Sequence, residues 1–239
     1  MAFKANILTL FPEMFPGPLQ HSIAGKAEKA GIWEIKTYQI RDFAEDKHKT
    51  VDDKPFGGGT GMVIKPDVLS KALDHVISEN PGTRLFYTSP RGAVFNQKKA
   101  IELSKENNLT FICGRYEGID QRVIDEYGIE EISLGDFILS GGEIAALAVI
   151  DACLRLVPGV IIKPSAVSEE SFGIGEDYSL LLEYPHYTRP SQFKGKQVPE
   201  VLISGNHAEV KKWRLEKAQE ITEKRRPDMW EKYKTHKKV

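Results

Sequence analysis

The stretch that decides the fold lies at residues 111–143 and reads FICGRYEGIDQRVIDEYGIEEISLGDFILSGGE. An apolar segment at 111–113 enters a Gly-Arg-Tyr-Glu-Gly turn, and a second apolar segment further on enters the turn Ser-Gly-Gly-Glu. Because glycine lets the main chain approach a ligand without an intervening side chain, the two turns predict a ligand site. Neither turn matches the phosphate-loop or the dinucleotide-binding fingerprint, so those two ligand classes are not indicated.

Segments on both sides of this stretch alternate between strand-like and helix-like patterns. Strands are predicted at 3–11, 33–40, 84–88, 109–113 and 129–134, and helices at 18–30, 66–78, 96–106, 119–126 and 141–156. Such alternation predicts an α/β domain with a mostly parallel sheet. Residues 163–179 are rich in serine, glycine and acidic residues, which is typical of a linker or lid. After Pro190 the chain is predicted to be mainly helical.

The overall composition is that of a globular protein. The chain has 239 residues, of which 41% are hydrophobic and 28% charged, and no apolar run reaches membrane-spanning length. The amino terminus lacks the apolar core of a signal peptide. Cys113 and Cys153 form neither a disulfide framework nor a zinc-ligand pattern. We therefore expect a cytoplasmic protein with no membrane association and no metal site.

The charge is unevenly distributed along the chain. Residues 206–239 contain 11 Lys/Arg and 6 Asp/Glu, whereas the other 205 residues contain 22 and 28. Lys211, Arg214 and Lys217 recur every three residues in this segment, which gives one face of a predicted helix a basic character. Charge alone favours a solvated helix face, but a basic tail on an acidic body is also typical of nucleic-acid binding.

Several motifs carry residues suited to binding or catalysis. The loop FGGGTGM at 56–62 lacks the Gly-Lys-Ser/Thr ending of a phosphate loop, so it is either a flexible turn or, with Asp53 nearby, a substrate contact. Arg155 ends an apolar helix, where it either complements the helix dipole or serves a site. The segment EYPHYTRP at 183–190 combines aromatics with a cation, which suits contact with RNA bases and phosphates. His186 is more readily structural than catalytic.

Taken together, these motifs resemble one family. The segments GGGTGM (57–62), GRYEG (114–118), SLGDFILSGGE (133–143), PGV (158–160), EYPHYTRP (183–190) and LISGNHAEVKKWR (202–214) closely resemble the TrmD family of bacterial tRNA (guanine-N1)-methyltransferases, in the SPOUT superfamily. The resemblance spans nearly the whole chain in order. No single motif would be sufficient for it.

The resemblance implies a fold, an assembly and a reaction. It implies a deep trefoil knot in an α/β domain at 1–162, a flexible linker or lid at 163–182 and a small helical, tRNA-binding domain at 183–239. It also implies a homodimer with active sites at the subunit interface. The expected reaction transfers methyl from S-adenosylmethionine to N1 of guanosine 37, directly 3′ of the tRNA anticodon. The alternatives are a SPOUT enzyme acting on another RNA and a non-catalytic RNA-binding protein.

The resemblance also assigns roles to residues by position. Those expected around the methyl donor are Gly114, Leu134, Gly135, Asp136, Phe137, Ile138 and Leu139, with Tyr87, Tyr116, Gly141 and Gly142 nearby. The motifs and charges described above, rather than the resemblance, indicate the residues expected at the RNA substrate, which are Asp53, Glu117, His186, Arg189, Lys211 and Arg214. The catalytic arginine of the family falls on Arg155, and its catalytic aspartate falls on Glu170.

The expected chemistry needs these residue types. Guanine N1 carries a proton that a carboxylate base must remove, and a cation must stabilise the charge that develops at O6. Two departures from the family pattern concern the base, since a glutamate replaces the aspartate and the loop after Phe172 is longer. Glu170 is therefore the first candidate for the base, with Glu169 and Asp177 as alternatives.

Overall fold

A five-stranded sheet forms the centre of the first of two compact units, Met1–Ile162 and Lys163–Val239. The structure is a computed structural model that describes residues 2–163, 165–175 and 178–236. Within these ranges the chain forms nine strands and eight α-helices. All paired strands of the five-stranded sheet are parallel, which confirms the α/β class predicted from the sequence.

The five strands and five helices predicted for the first unit are present, together with two short strands that were not predicted. They are β1 (Phe3–Thr9), α1 (Ser22–Lys29), β2 (Trp33–Gln39), β3 (Asp52–Asp53), β4 (Val63–Ile64), α2 (Pro66–Glu79), β5 (Arg84–Val94), α3 (Gln97–Leu103), β6 (Asn108–Cys113), α4 (Gln121–Tyr127), β7 (Glu130–Ser133) and α5 (Glu143–Leu154). The sheet order is β2-β1-β6-β5-β7, and β3 pairs with β4 in a separate antiparallel hairpin.

Both faces of the sheet are covered by helices. Phe3, Ala5 and Ile7 of β1 face a core shared with α1, α3 and α5, whereas Leu8 faces a core shared with α2 and α4. This explains the nearly continuous apolar composition of β1, because a strand buried on both faces shows no alternation of polar and apolar residues. Trp33 ties β2 to α1, since its indole Nε1 donates a 2.8 Å hydrogen bond to the Ala24 carbonyl.

Helix α5 is apolar around most of its circumference. Eight of its twelve residues are buried, and it packs against β1, β5 and β6. The chain therefore leaves the edge strand β7 at Ser133 and returns to the centre of the sheet within ten residues. This return places the Ser-Gly-Gly-Glu turn beside the carboxyl ends of the central strands.

The structure corrects three predictions of secondary structure. The segment at 18–30 is not one helix, because His21 is extended and separates a 3-10 turn at Gly17–Gln20 from α1. Strand β5 extends beyond Thr88 to Val94, since Ala93 and Val94 pair with β7 after an irregularity. Strand β1 ends at Thr9 and not at residue 11. The region after Pro190 is mainly helical, as predicted, although it begins with a β-hairpin.

The second unit is built around a small aromatic core. Its elements are α6 (Ser165–Ser168), the hairpin strands β8 (Gln192–Phe193) and β9 (Lys196–Gln197), α7 (His207–Arg225) and α8 (Pro227–His236). Tyr178, Leu181, Tyr184, Ala218 and Tyr233 form the buried cluster. Thr222 joins α7 to the segment before it, because its hydroxyl accepts a 2.8 Å hydrogen bond from the Leu182 amide.

Candidate functional site

A cleft of about 280 Å³ opens at the carboxyl ends of β5, β6 and β7. Ten of the eleven residues predicted around the methyl donor line it: Tyr87, Gly114, Tyr116, Leu134, Gly135, Phe137, Ile138, Leu139, Gly141 and Gly142. Asp136 is exposed and lies outside the lining. The cleft stands where parallel α/β sheets generally bind ligands, because loops at the carboxyl ends of the strands diverge there.

Tyr87 forms one wall of the cleft and explains why residue 114 is glycine. Its side chain is only 7% exposed, and a Cβ atom at position 114 would lie 2.7 Å from its ring. Any larger residue would therefore displace the ring or the turn. Burial raises the pKa of the Tyr87 hydroxyl above its ordinary value, so this group is neutral at physiological pH.

The second glycine turn docks onto the first by main-chain contacts. The Gly142 amide donates a 3.0 Å hydrogen bond to the Gly114 carbonyl, and the Thr88 hydroxyl donates to the Gly142 carbonyl at 3.3 Å. A Cβ at position 142 would lie 2.9 Å from Cys113 Cα and 3.0 Å from the Gly114 amide nitrogen. The two turns therefore form the walls of one cleft, and glycine at 142 allows their close approach.

A buried polar cluster behind the cleft contains residues that the sequence reasoning did not assign. Glu143 is 1% exposed, and its Oε1 accepts hydrogen bonds from the Thr9 hydroxyl at 2.8 Å and from Arg115 Nε at 3.1 Å. Its Oε2 lies 2.9 Å from Arg115 Nη2, as an ion pair without hydrogen-bond alignment. A glutamate in the first turn of a helix is ordinary in sequence, so the pattern gave no signal of its burial.

The glycine-rich loop at 57–62 lies beside the cleft. The Glu117 amide donates a 2.9 Å hydrogen bond to the Met62 carbonyl, and the Ile64 amide donates to the Gly118 carbonyl at 2.9 Å. The Glu117 side chain, predicted at the substrate, is exposed and contributes to the cleft lining. Asp53, also predicted at the substrate, is exposed on β3 but does not line the cleft.

Arg155 stands at the far end of α5 from the cleft. The helix starts after Gly142, which lines the cleft, and Arg155 is its carboxyl-terminal cap. Thirteen residue steps at 1.5 Å per residue separate the two positions by roughly 20 Å. The structure therefore does not bring Arg155 into the cleft of its own chain.

The acidic candidates for the base belong to the second unit. Glu169 Oε2 lies 3.4 Å from Arg214 Nη1, and this carboxylate also interacts with Tyr184. Glu170 is half-buried, and its carbonyl accepts a hydrogen bond from the Gly173 amide at 2.9 Å. Asp177 lies outside the described residues. The Glu169 carboxylate is thus held by a contact inside its own unit.

The four substrate residues predicted in the second unit differ in their surroundings. Arg189 and Lys211 are exposed. The exposed His186 has its Nε2 atom 2.9 Å from Glu183 Oε1. Arg214 is half-buried, with its guanidinium carbon 4.8 Å from the centre of the Tyr184 ring. Two of these side chains therefore present open cationic groups, and two are held by neighbouring residues.

The described part of the chain contains neither a metal site nor a membrane-spanning helix. There, no cluster of three His, Cys, Asp or Glu side chains has the arrangement of a metal site. Nor does any helix in the described ranges combine the length and apolar character needed to cross a membrane.

Comparison with known proteins identifies close relatives. The family model described as tRNA (Guanine-1)-methyltransferase TrmD matches residues 3–232. A tRNA (guanine-N(1)-)-methyltransferase from Rhodospirillum rubrum is 54% identical to this chain, over 98% of this chain and 95% of the relative. An enzyme of the same name from Ehrlichia canis is 49% identical, over 96% of this chain and 96% of the relative. Another from Pelagibacter ubique is 52% identical, over 97% of this chain and 99% of the relative.

Proposed function

The chain belongs to the tRNA (guanine-1)-methyltransferase family, and from this premise we propose that it methylates N1 of guanosine 37 in tRNA. S-adenosylmethionine is the proposed methyl donor. The observation that carries the proposal is the glycine-walled cleft, which joins the two motifs quoted first from the sequence. The match covers 95% of the length of the Rhodospirillum rubrum relative and 99% of the length of the Pelagibacter ubique relative.

The residues of the cleft suit S-adenosylmethionine. This molecule supplies the methyl group when bound, and it has an adenine and a sulfonium but no phosphate. Leu134, Phe137 and Ile138 offer apolar surface for the adenine, and the glycine turns bring main-chain polar groups close to it. The charged side chains of the lining are Arg115 and Glu117. The positive charge of Arg115 is neutralised by Glu143, with which it forms an ion pair. A cationic ligand without phosphate therefore fits the lining.

Glu170 is the proposed general base. A carboxylate is suited to removing the proton from guanine N1, and an intermediate exposure lets it meet a substrate in solution. Glu169 is an alternative, whose carboxylate would have to leave Arg214 and Tyr184 before accepting a proton. Asp177 stays an alternative that lies outside the described residues.

Arg155 is the proposed cation that stabilises negative charge at guanine O6. Its distance of roughly 20 Å from Gly142 along α5 excludes direct action on the cleft of the same chain without a large rearrangement. We therefore propose a homodimer in which Arg155 of one subunit serves the cleft of the other. Such an isologous pair would contain two equivalent sites, each built from both chains.

The trefoil knot is also part of the proposal. The return of the chain from the edge strand β7 to the end of β6, fixed by the Gly142–Gly114 hydrogen bond, supports it. Knots are rare in proteins. Local sequence patterns do not indicate a knot, because it is a property of the path of the whole chain. The cleft would then consist of the knotted segment itself, which agrees with the close main-chain contacts around it.

The second unit is proposed to bind tRNA in the cytoplasm. Arg189 and Lys211 are exposed cations on this unit, whose carboxyl-terminal segment is basic. Phosphate contacts of this kind lose strength as salt concentration rises. We expect His186 and Arg214 to contribute after exchanging their present contacts with Glu183 and Glu169.

The decisive experiment maps the modified nucleotide. The protein is incubated with S-adenosylmethionine carrying a labelled methyl group and with unmodified tRNA transcripts that have guanosine or adenosine at position 37. We expect 1-methylguanosine in the first transcript and no label in the second. Label on a ribose would favour another SPOUT activity. Bound tRNA without any label would favour a non-catalytic RNA-binding protein.

A further inference from the structure

The charge of the cleft depends on a residue that does not line it. Arg115 lines the cleft, and Glu143 lies behind it with 1% of its surface exposed. Nη2 of Arg115 and Oε2 of Glu143 are 2.9 Å apart, and Nε of Arg115 donates a hydrogen bond to Oε1 at 3.1 Å. The wall of the cleft is therefore a neutral ion pair with its cationic partner toward the ligand.

We propose that Glu143 is a specificity-determining and positioning residue, which neutralises Arg115 so that the cleft accepts a positively charged ligand. The inference rests on the proposed use of S-adenosylmethionine, whose sulfonium carries one positive charge. Without Glu143, the guanidinium would present an uncompensated charge of the same sign. Glu117, exposed at the other end of the turn, carries the remaining negative charge of the lining.

The surrounding contacts show that this arrangement is held by the fold. The Thr9 hydroxyl donates to Glu143 Oε1 at 2.8 Å, so the end of β1 fixes the carboxylate. Arg115 Nη1 also donates to the Ser140 carbonyl at 3.2 Å, and its guanidinium carbon lies 4.3 Å from the centre of the Phe11 ring. Two distant segments, one at Phe11 and one at 140–143, thus hold one guanidinium, which limits its ability to move away from a ligand.

Because Glu143 is buried, loss of its charge would expose a ligand in the cleft to a weakly screened guanidinium charge. A charge pair in a site of low effective dielectric is weakly screened by salt, in contrast to a pair on the surface. Removing one partner of a buried pair leaves the other uncompensated. For that reason, loss of the Glu143 charge should affect a cation bound in the cleft more than a neutral molecule of the same shape.

S-adenosylhomocysteine provides the neutral comparison. It lacks the methyl group and the positive charge of S-adenosylmethionine but keeps the adenosine and amino-acid parts. The ratio of the two dissociation constants therefore reports the charge of the cleft, and a general loss of structure would weaken both ligands alike. This ratio separates an electrostatic role of Glu143 from a merely structural one.

The test measures both dissociation constants by isothermal titration calorimetry on the full-length protein. In Glu143→Gln, an isosteric change, we expect S-adenosylmethionine to lose at least about tenfold more affinity than S-adenosylhomocysteine. The matched control is Thr9→Val, which removes the hydrogen bond to Glu143 without changing any charge. In this control the ratio of dissociation constants should equal that of the unchanged protein.

A second variant keeps the inference testable if Glu143→Gln does not fold. Arg115→Met removes the positive charge and leaves Glu143 in place, so the ratio should shift in favour of S-adenosylmethionine. Equal losses for both ligands in Glu143→Gln, or no opposite shift in Arg115→Met, would overturn the inference. If the unchanged protein binds neither ligand, it is the proposed methyl donor that fails, and the two failures are distinguishable.

Discussion

Mixed dimers provide a direct test of the place of Arg155. One subunit carries Gly142→Ala, which distorts its cleft, and the other carries Arg155→Ala, which removes the guanidinium. The two variants are co-expressed with different affinity tags, and the heterodimer is isolated on both resins in sequence. Each defect is thereby confined to one chain, and the two homodimers serve as references.

The expected magnitude follows from α5 and from the Cβ contacts at Gly142. The added methyl would collide with Thr88 Oγ1 and lie 2.9 Å from Cys113 Cα, so the wall of the cleft must shift. Overpacking costs about 1–3 kcal/mol, and if restoring the shape of the wall for the donor requires that energy, donor affinity falls roughly 5–150-fold. Because α5 separates Arg155 from its own cleft by roughly 20 Å, the heterodimer should combine both defects in one site and leave the other intact. Its activity should be about half that of the unchanged dimer.

The assay measures methyl transfer to unmodified tRNA at a donor concentration below the dissociation constant of the Gly142→Ala cleft. Both variant homodimers should be far less active than the heterodimer. Gly31→Ala is the steric control, because a Cβ there meets nothing within 4 Å, although its positive φ of +70° carries a modest backbone cost. A heterodimer as inactive as the homodimers would show that Arg155 acts within its own chain and would refute the reasoning.

Three further outcomes are expected. Glu170→Gln should abolish methyl transfer while sparing donor binding, whereas Glu169→Gln should retain turnover; full turnover by Glu170→Gln in a single-turnover assay would remove it as the base. Leu73→Ala should lower the free energy of unfolding by roughly 2–5 kcal/mol in urea titrations, because Leu73 is fully buried; a loss below about 1 kcal/mol would contradict this packing. Burial raises the pKa of Cys113 well above its ordinary value and that of Cys153 to about 12, so below these values both thiols stay protonated. A thiol reagent should therefore label them at pH 8 only after denaturation, and rapid labelling of the native protein would contradict their burial.

The order and type of most elements could be predicted from the sequence because periodicity and glycine positions are local signals. The parallel sheet follows from strands that alternate with helices. Its register could not be predicted, because strands buried on both faces show no alternation of polar and apolar residues. The hairpin β8–β9 was not predicted, because its strands have two residues each. The positive φ angles of its turn residues, Lys194 and Gly195, are visible only in the structure. Short elements of this kind fall below the length at which periodicity is informative.

The cleft was partly predictable, since its walls are glycine turns that follow strands. Glu143 was not recognised, because a helix-starting glutamate is usually solvated and its contacts with Thr9 and Arg115 bridge 134 and 28 positions of sequence. The separation of Arg155 from the cleft was equally hidden. It depends on the length of α5 together with the direction in which that helix leaves the cleft.

The position of β1 between β2 and β6 has a consequence for synthesis of the chain. This strand pairs with β2 at residues 33–39 on one side and with β6 at 108–113 on the other. About 70 residues must therefore be translated between the two pairings, which takes several seconds at roughly 5–20 residues per second. During that interval one hydrogen-bonding edge of an apolar strand is open. Chaperone binding to the nascent chain should accordingly be strongest before residue 113 emerges from the ribosome and should decline once β6 has paired.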